Sequence, residues 1–189
     1  MTKSDDLKPL RKKKQKTNYS WIITVTIMAF IISFSFSFIS ESVLMNANAV
    51  TGIILVLVFI LIGILFDIIG VSVTSAEEKP FHSMSARKVK GSDVAVSLVK
   101  NAEKVSSFCC DVVGDICGII SGSAGAVVAV SISQKFNYDL IITTLVVTAI
   151  IASLTIGGKA IGKGIAINKG NFILYELAKI ISFVYKGKK

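Results

Sequence analysis

Three carboxylates interrupt apolar sequence in this chain: Asp67, Asp111 and Asp115. A charge on a membrane-spanning helix costs about 2.5–3.5 kcal/mol on insertion scales, so such residues usually face a bundle interior and mark a route for ions or protons. Asp111 and Asp115 are four residues apart and would project from one helical face, in line with Gly118 and Gly122. Asp67 shares a face of another apolar stretch with Gly63 and Gly70. Carboxylates without a neighbouring base invite a cation. Hard cations such as Mg²⁺ take oxygen ligands and keep some of their waters, so two or three carboxylates with Ser and Thr hydroxyls are enough for a site. A plainer alternative makes Asp111 or Asp115 a helix cap near the head groups and Asp67 merely interfacial.

No enzymatic chemistry competes with this reading. The one histidine, His82, has no second histidine and no nucleophile at a recognisable spacing, and no P-loop or dinucleotide fingerprint is present. The chain is therefore expected not to be an enzyme. Cys109, Cys110 and Cys117 lack a nearby histidine for a zinc site and read as small buried thiols, with no disulfide expected on the cytoplasmic side.

The elements that must position the carboxylates are membrane helices. The 189 residues are 52% hydrophobic with mean hydropathy +0.71. The apolar residues gather in four blocks: Trp21 to Ile39, Thr51 to Thr74, Phe108 to Ile132 and Leu140 to Ile156. About 20 apolar residues cross the hydrocarbon, so each block is a candidate span. Both prolines, Pro9 and Pro80, fall outside them, and the helices can be continuous. The expected fold is an all-α integral membrane protein of about four transmembrane helices plus two amphipathic juxtamembrane helices on the cytoplasmic side.

The formal net charge of +9 does not point to nucleic acid. Seven Lys/Arg precede the first block, six lie between the second and third, seven follow the fourth, and only Lys135 lies elsewhere. The positive-inside rule reads this as a multi-pass protein of the cell membrane with both termini cytoplasmic. The run from Arg11 to Lys16 would also attract acidic lipid. At 1.5 Å per residue, Asp111 and Asp115 then lie roughly 6 and 12 Å inside the third span, and Asp67 roughly 24 Å from the outer start of the second. All three fall in the cytoplasmic half.

Residues 1–19 read as a disordered basic tail and 20–45 as an N-terminal span that acts as an anchor. Ala47-Asn48-Ala49 resembles a signal-peptidase site, but the apolar core before it is too long for a typical signal. Between the second and third spans, Val94, Ala95, Leu98, Val99, Ala102 and Val105 make one apolar stripe. After the fourth, Ile173, Leu177, Ile180, Ile181 and Val184 make another. The two helices are expected to form an interfacial collar, with mutual packing into a cap as the alternative. Gly114, Gly118 and Gly122 recur every four residues and predict close helix packing by a central third span.

From about residue 58 to 185, the order of features resembles the transmembrane domain of the cyclin-M/CorC family of magnesium transporters. Ser75-Ala76-Glu77-Glu78, followed by Ser83-Met84-Ser85, is similar to the family's Ser-x-Ser-Glu-Thr-Ala segment and the serines after it. Val113-Gly114-Asp115 resembles the Gly-Asn reached from its juxtamembrane helix, and the stretch from Gly158 to Ile167 resembles its Gly-Glu-Ile-x-Pro-Lys segment. The resemblance implies that residues 50–185 form a homodimeric domain of three spans and juxtamembrane helices, with a Mg²⁺ site reached from the cytoplasm. The residues expected near the ion are Asp67, Ser75, Asp111 and Asp115. Lys159 stands where the family has glutamate, Gly162 where it has proline, and the sequence stops short of the family's CBS domains. Two functions follow as expectations. One is a transporter or binder of divalent cations in the lipid bilayer. The other is a non-transporting scaffold or regulator of a protein partner, with an Asp115–Lys159 pair in place of the ion.

Overall fold

The computed structural model describes residues 19–44 and 49–186, with side chains to residue 183. The expected basic tail and most of the Ala47-Asn48-Ala49 segment lie outside the described residues. All regular structure among the described residues is helical: α1 (Tyr19–Leu44), α2 (Ala49–Ser75), α3 (Glu78–Ala86), α4 (Ser92–Lys100), α5 (Ala102–Ser106), α6 (Asp115–Phe136), α7 (Leu140–Asn168) and α8 (Gly170–Lys186). A π-helical segment, Ser107–Gly114, joins α5 to α6, so residues Ala102–Phe136 form one 35-residue helix. This helix, α1, α2 and α7 are each long and apolar enough to cross a bilayer. The fold is that of a multi-pass, all-α membrane protein.

The connection between α6 and α7 is short and locally encoded. Asn137 takes the left-handed conformation (φ 55°) that ends α6, as asparagine tolerates, and the Asp139 carboxylate accepts the Ile142 N–H at 3.0 Å to cap α7. At the other end of the bundle, the Lys104 ammonium lies 5.1 Å from the Trp21 ring and holds the start of α1 beside α5. The start of α1, helices α3 to α5, the end of α7 and α8 thus share one end of the molecule. Lys135 sits at the opposite end.

Helices α2 and α6 form the centre. Water drives little association between helices in lipid, so close packing of small residues carries the interfaces. A Cβ on Gly52 would lie 2.6 Å from a Val128 methyl, and one on Gly63 3.2 Å from Cys117 Cβ. A Cβ on Gly162 would meet Ile68 at 2.8 Å. Phe59, Val112, Val113, Ile116, Cys117 and Ile120 form an inner cluster, on which Val25, Ile32 and Phe36 of α1 pack. A second cluster joins Val56 and Ile60 to Ala124 and Ile151.

The glycine ladder contributes differently from its spacing. Gly114 packs against Gly63, but a Cβ added at Gly118 or Gly122 would meet nothing within 4 Å. The buried face of α6 instead runs through Ile116, Cys117, Ile120, Ser121, Ala124 and Val128. That face leaves Gly118 and Gly122 on the outside of a single protomer. The third span is central, as expected, through a neighbouring face.

The amphipathic helices pack on one another. Phe81 of α3, Ala95 of α4, and Leu174 and Ala178 of α8 close over Val73 at the end of α2. The α4 stripe is the expected one, although Asn101 (φ −108°) breaks it from α5. The α8 stripe is rotated from expectation. Leu174 and Ala178 are fully buried, whereas Ile180 is 62% exposed.

Candidate functional site

The α2 face carrying Gly63, Asp67 and Gly70 meets the π-helical segment. A Cβ on Gly63 would lie 3.4 Å from the Gly114 carbonyl oxygen, and one on Gly70 would meet Cys110 Sγ, Cys109 Cβ and the Ser106 carbonyl. Asp67 lies between these two contacts, so its side chain is enclosed in the seam between α2 and the π-helical segment. It is 4% exposed, and its Oδ2 has no hydrogen-bond partner among the described residues. Cys110 crosses the same seam. Its thiol donates to the Asp67 backbone carbonyl at 3.7 Å and lies 3.8 Å from Ser106 Oγ.

Among the described residues no ion pair reaches Asp67. A buried carboxylate oxygen without a partner is costly, and a bound cation is one means of offsetting it. Mid-helix π turns are uncommon, and they recur where a helix is adapted to function. The Asp67–π junction therefore has two independent marks of a site: an orphaned buried oxygen and irregular helix geometry facing it.

The other expected residues are distributed differently. Asp111 and Asp115 do share one face, but that face is exposed on the protomer, in contrast to the expected interior position. The reason is the same rotation that leaves Gly118 and Gly122 open. Lys159 of α7 reaches Asp115, with Nζ donating to Oδ1 at 3.3 Å. Lys159 is largely sheltered at 21% side-chain exposure, while Asp115 is 66% exposed. Ser75 Oγ donates to the carbonyls of Val71 at 2.7 Å and Ala166 at 3.3 Å, tying the end of α2 to α7. It is eight residues, roughly 12 Å along the helix, from Asp67. Among the described residues, no three His, Cys, Asp or Glu side chains converge as a metal-binding group.

Family models, curated proteins and solved structures offer no match to this chain. Sequence reasoning selected Asp67 and gave the Asp115–Lys159 pair as the alternative to an ion. It missed Cys110 and Ser106 as neighbours of Asp67, because a π-helical register is not written in residue types. It also missed Ser72, which is fully buried with its hydroxyl unpartnered among the described residues. Its carbonyl lies 3.2 Å from where a Cβ on Gly170 would sit, a contact that residue types alone do not signal.

Proposed function

We propose that this chain is a cell-membrane protein that binds and transports a divalent cation, Mg²⁺ foremost, with Asp67 as the carboxylate that meets the ion inside the bundle. The observation that carries this reading is the buried, unpartnered Asp67 oxygen facing the π-helical segment. Mg²⁺ is commonly held through one or two carboxylates while it keeps several waters, so a single inner acid suits it better than a cage of side chains. The ordered cyclin-M/CorC-like motifs support the same class. Asp111 and Ser75 would act at the cytoplasmic approach, and the outward stripe from Asp111 to Gly122 would face the second copy of a homodimer. Both termini would be cytoplasmic, in keeping with the basic residues at the cap end.

A second reading has one observation in its favour: Lys159 already neutralises Asp115 at 3.3 Å. On that reading the chain keeps a transporter-like frame, moves no ion, and serves a protein partner as scaffold or regulatory subunit.

Flux of Mg²⁺ into proteoliposomes that enclose an indicator dye separates the two. Transport by the wild type that is lost in Asp67→Asn supports the first. Melting curves give a parallel test, since a ligand at a hundred times its Kd stabilises by about 2.7 kcal/mol and only through the site that binds it. No flux and no Mg²⁺-dependent shift in the wild type would leave the second.

A further inference from the structure

We propose that the groove between the α3–α4 turn and α8 is a binding site for the phosphate-bearing head group of an anionic phospholipid. The groove, about 1100 Å³, is lined by Lys88 and Lys90 from the turn and Lys179 from α8, with Phe183 at its edge. Two acids lie close. Asp93 is engaged by the Ser85 hydroxyl, and Glu176 lies 3.7 Å from Lys179. Lys88 and Lys90 have no acidic partner among the described residues, so the lining keeps a positive excess.

The turn that presents these lysines is built. Lys88 sits in the left-handed region (φ 56°), with its N–H donated to the Ser85 carbonyl at 2.9 Å. Gly91 also has positive φ (84°), and a Cβ there would lie 3.0–3.1 Å from the Lys179 backbone. Only glycine combines that conformation with that approach. The contact seats the turn on α8 and brings Lys179 beside Lys88 and Lys90.

The surroundings favour a lipid over a free anion. With its inner face on Phe81 and Ala95, α8 turns Phe172, Ile180 and Phe183 outward at 65%, 62% and 85% exposure. These three residues fall within one helical quadrant, and Lys179 lies at its edge. An apolar stripe flanked by a basic residue is the signature of a helix lying in the head-group layer. Acyl chains would cover the phenylalanines while the phosphate meets the lysines, each worth on the order of a fivefold change in affinity near an anionic surface.

The test uses the full chain in neutral-detergent micelles, titrated with phosphatidylglycerol, phosphatidylcholine or inorganic phosphate, and reads the melting temperature. Phosphatidylglycerol alone is expected to raise it. The variant Lys88→Gln/Lys90→Gln/Lys179→Gln should need on the order of a hundredfold more of that lipid for the same shift. A charge-matched control, Lys100→Gln/Lys135→Gln/Lys163→Gln, should behave as wild type. Lys90→Gln alone should cost roughly fivefold, which keeps the test open if the triple variant folds poorly. Equal loss in the control would reduce the effect to net charge. An equal shift with phosphatidylcholine, or a full shift with inorganic phosphate, would overturn the lipid assignment.

Discussion

Removing one charge at a time from the Asp115–Lys159 pair should give unequal costs. At 3.3 Å, two unit charges attract by roughly 5 kcal/mol at an effective dielectric of about 20 and by roughly 1 kcal/mol in water. The ordering of a long lysine side chain and partial desolvation reduce this, so a coupling of about 2 kcal/mol is expected. The two ends are not equally sheltered, at 21% exposure for Lys159 and 66% for Asp115. Asp115→Asn strands the sheltered ammonium and should cost about 3 kcal/mol, whereas Lys159→Met strands the more open carboxylate and should cost about 1 kcal/mol. With that coupling the double variant should cost about 2 kcal/mol, less than Asp115→Asn alone. Unfolding of all four proteins in the same mixed micelles, with and without millimolar Mg²⁺, measures the cycle. A coupling below about 0.5 kcal/mol would refute the pair as an energetic unit. So would Mg²⁺ stabilisation that is present in wild type and absent only in Asp115→Asn, because the carboxylate would then serve the ion and not Lys159.

Further outcomes follow from the packing. Asp67→Asn should raise the melting temperature in metal-free buffer while abolishing any Mg²⁺-dependent rise, because it removes a buried charge together with its ligand; a drop in metal-free stability of more than about 1 kcal/mol would contradict this. Gly70→Val should destabilise the protein by more than 2 kcal/mol by forcing α2 away from Cys109 and Cys110, whereas Gly118→Ala should change protomer stability by less than about 1 kcal/mol, both read by unfolding in detergent. Phe81→Ala should cost about 3–5 kcal/mol, because the ring is 1% exposed at the centre of the cap; protease sensitivity of residues 78–106 reports it. In oriented membranes, a cysteine replacing Gln134 should label from outside, and one replacing the exposed Arg87 only after permeabilisation; the reverse pattern would invert the topology.

The spans were legible because each is an uninterrupted apolar block, and hydropathy alone sets that signal. The Gly63–Asp67–Gly70 face and the Val94-to-Val105 stripe were legible because helical spacing fixes which residues share a side. What spacing does not report is which side finds a neighbour. Gly114, Gly118 and Gly122 form a regular row, yet only Gly114 is in the seam, because Ile116, Cys117 and Ile120 offer the larger surface to α1 and α2. Ile180 is likewise apolar enough to be buried, but the small Ala178 and the neighbouring Leu174 let α8 settle closer to Ala95, and Ile180 turns outward. The π-helical segment has no local signature in Ser107–Gly114, since the extra width depends on the partner helix and its two glycines.

The π-helical segment also sets the rotational phase between the two halves of the third span. One α-helical residue turns the chain by about 100°. If residues 107–114 took ordinary α geometry with their number unchanged, the outer half of the third span would stay seated on α2 and α7 while everything before it rotated about the helix axis. Val99, Ala102 and Val105 would swing off Val73, and the cap would lose its footing on the spans. The segment thus works like the offset in a crankshaft: the outer and inner bearings of one rod are each correctly phased only while its wide turns are kept.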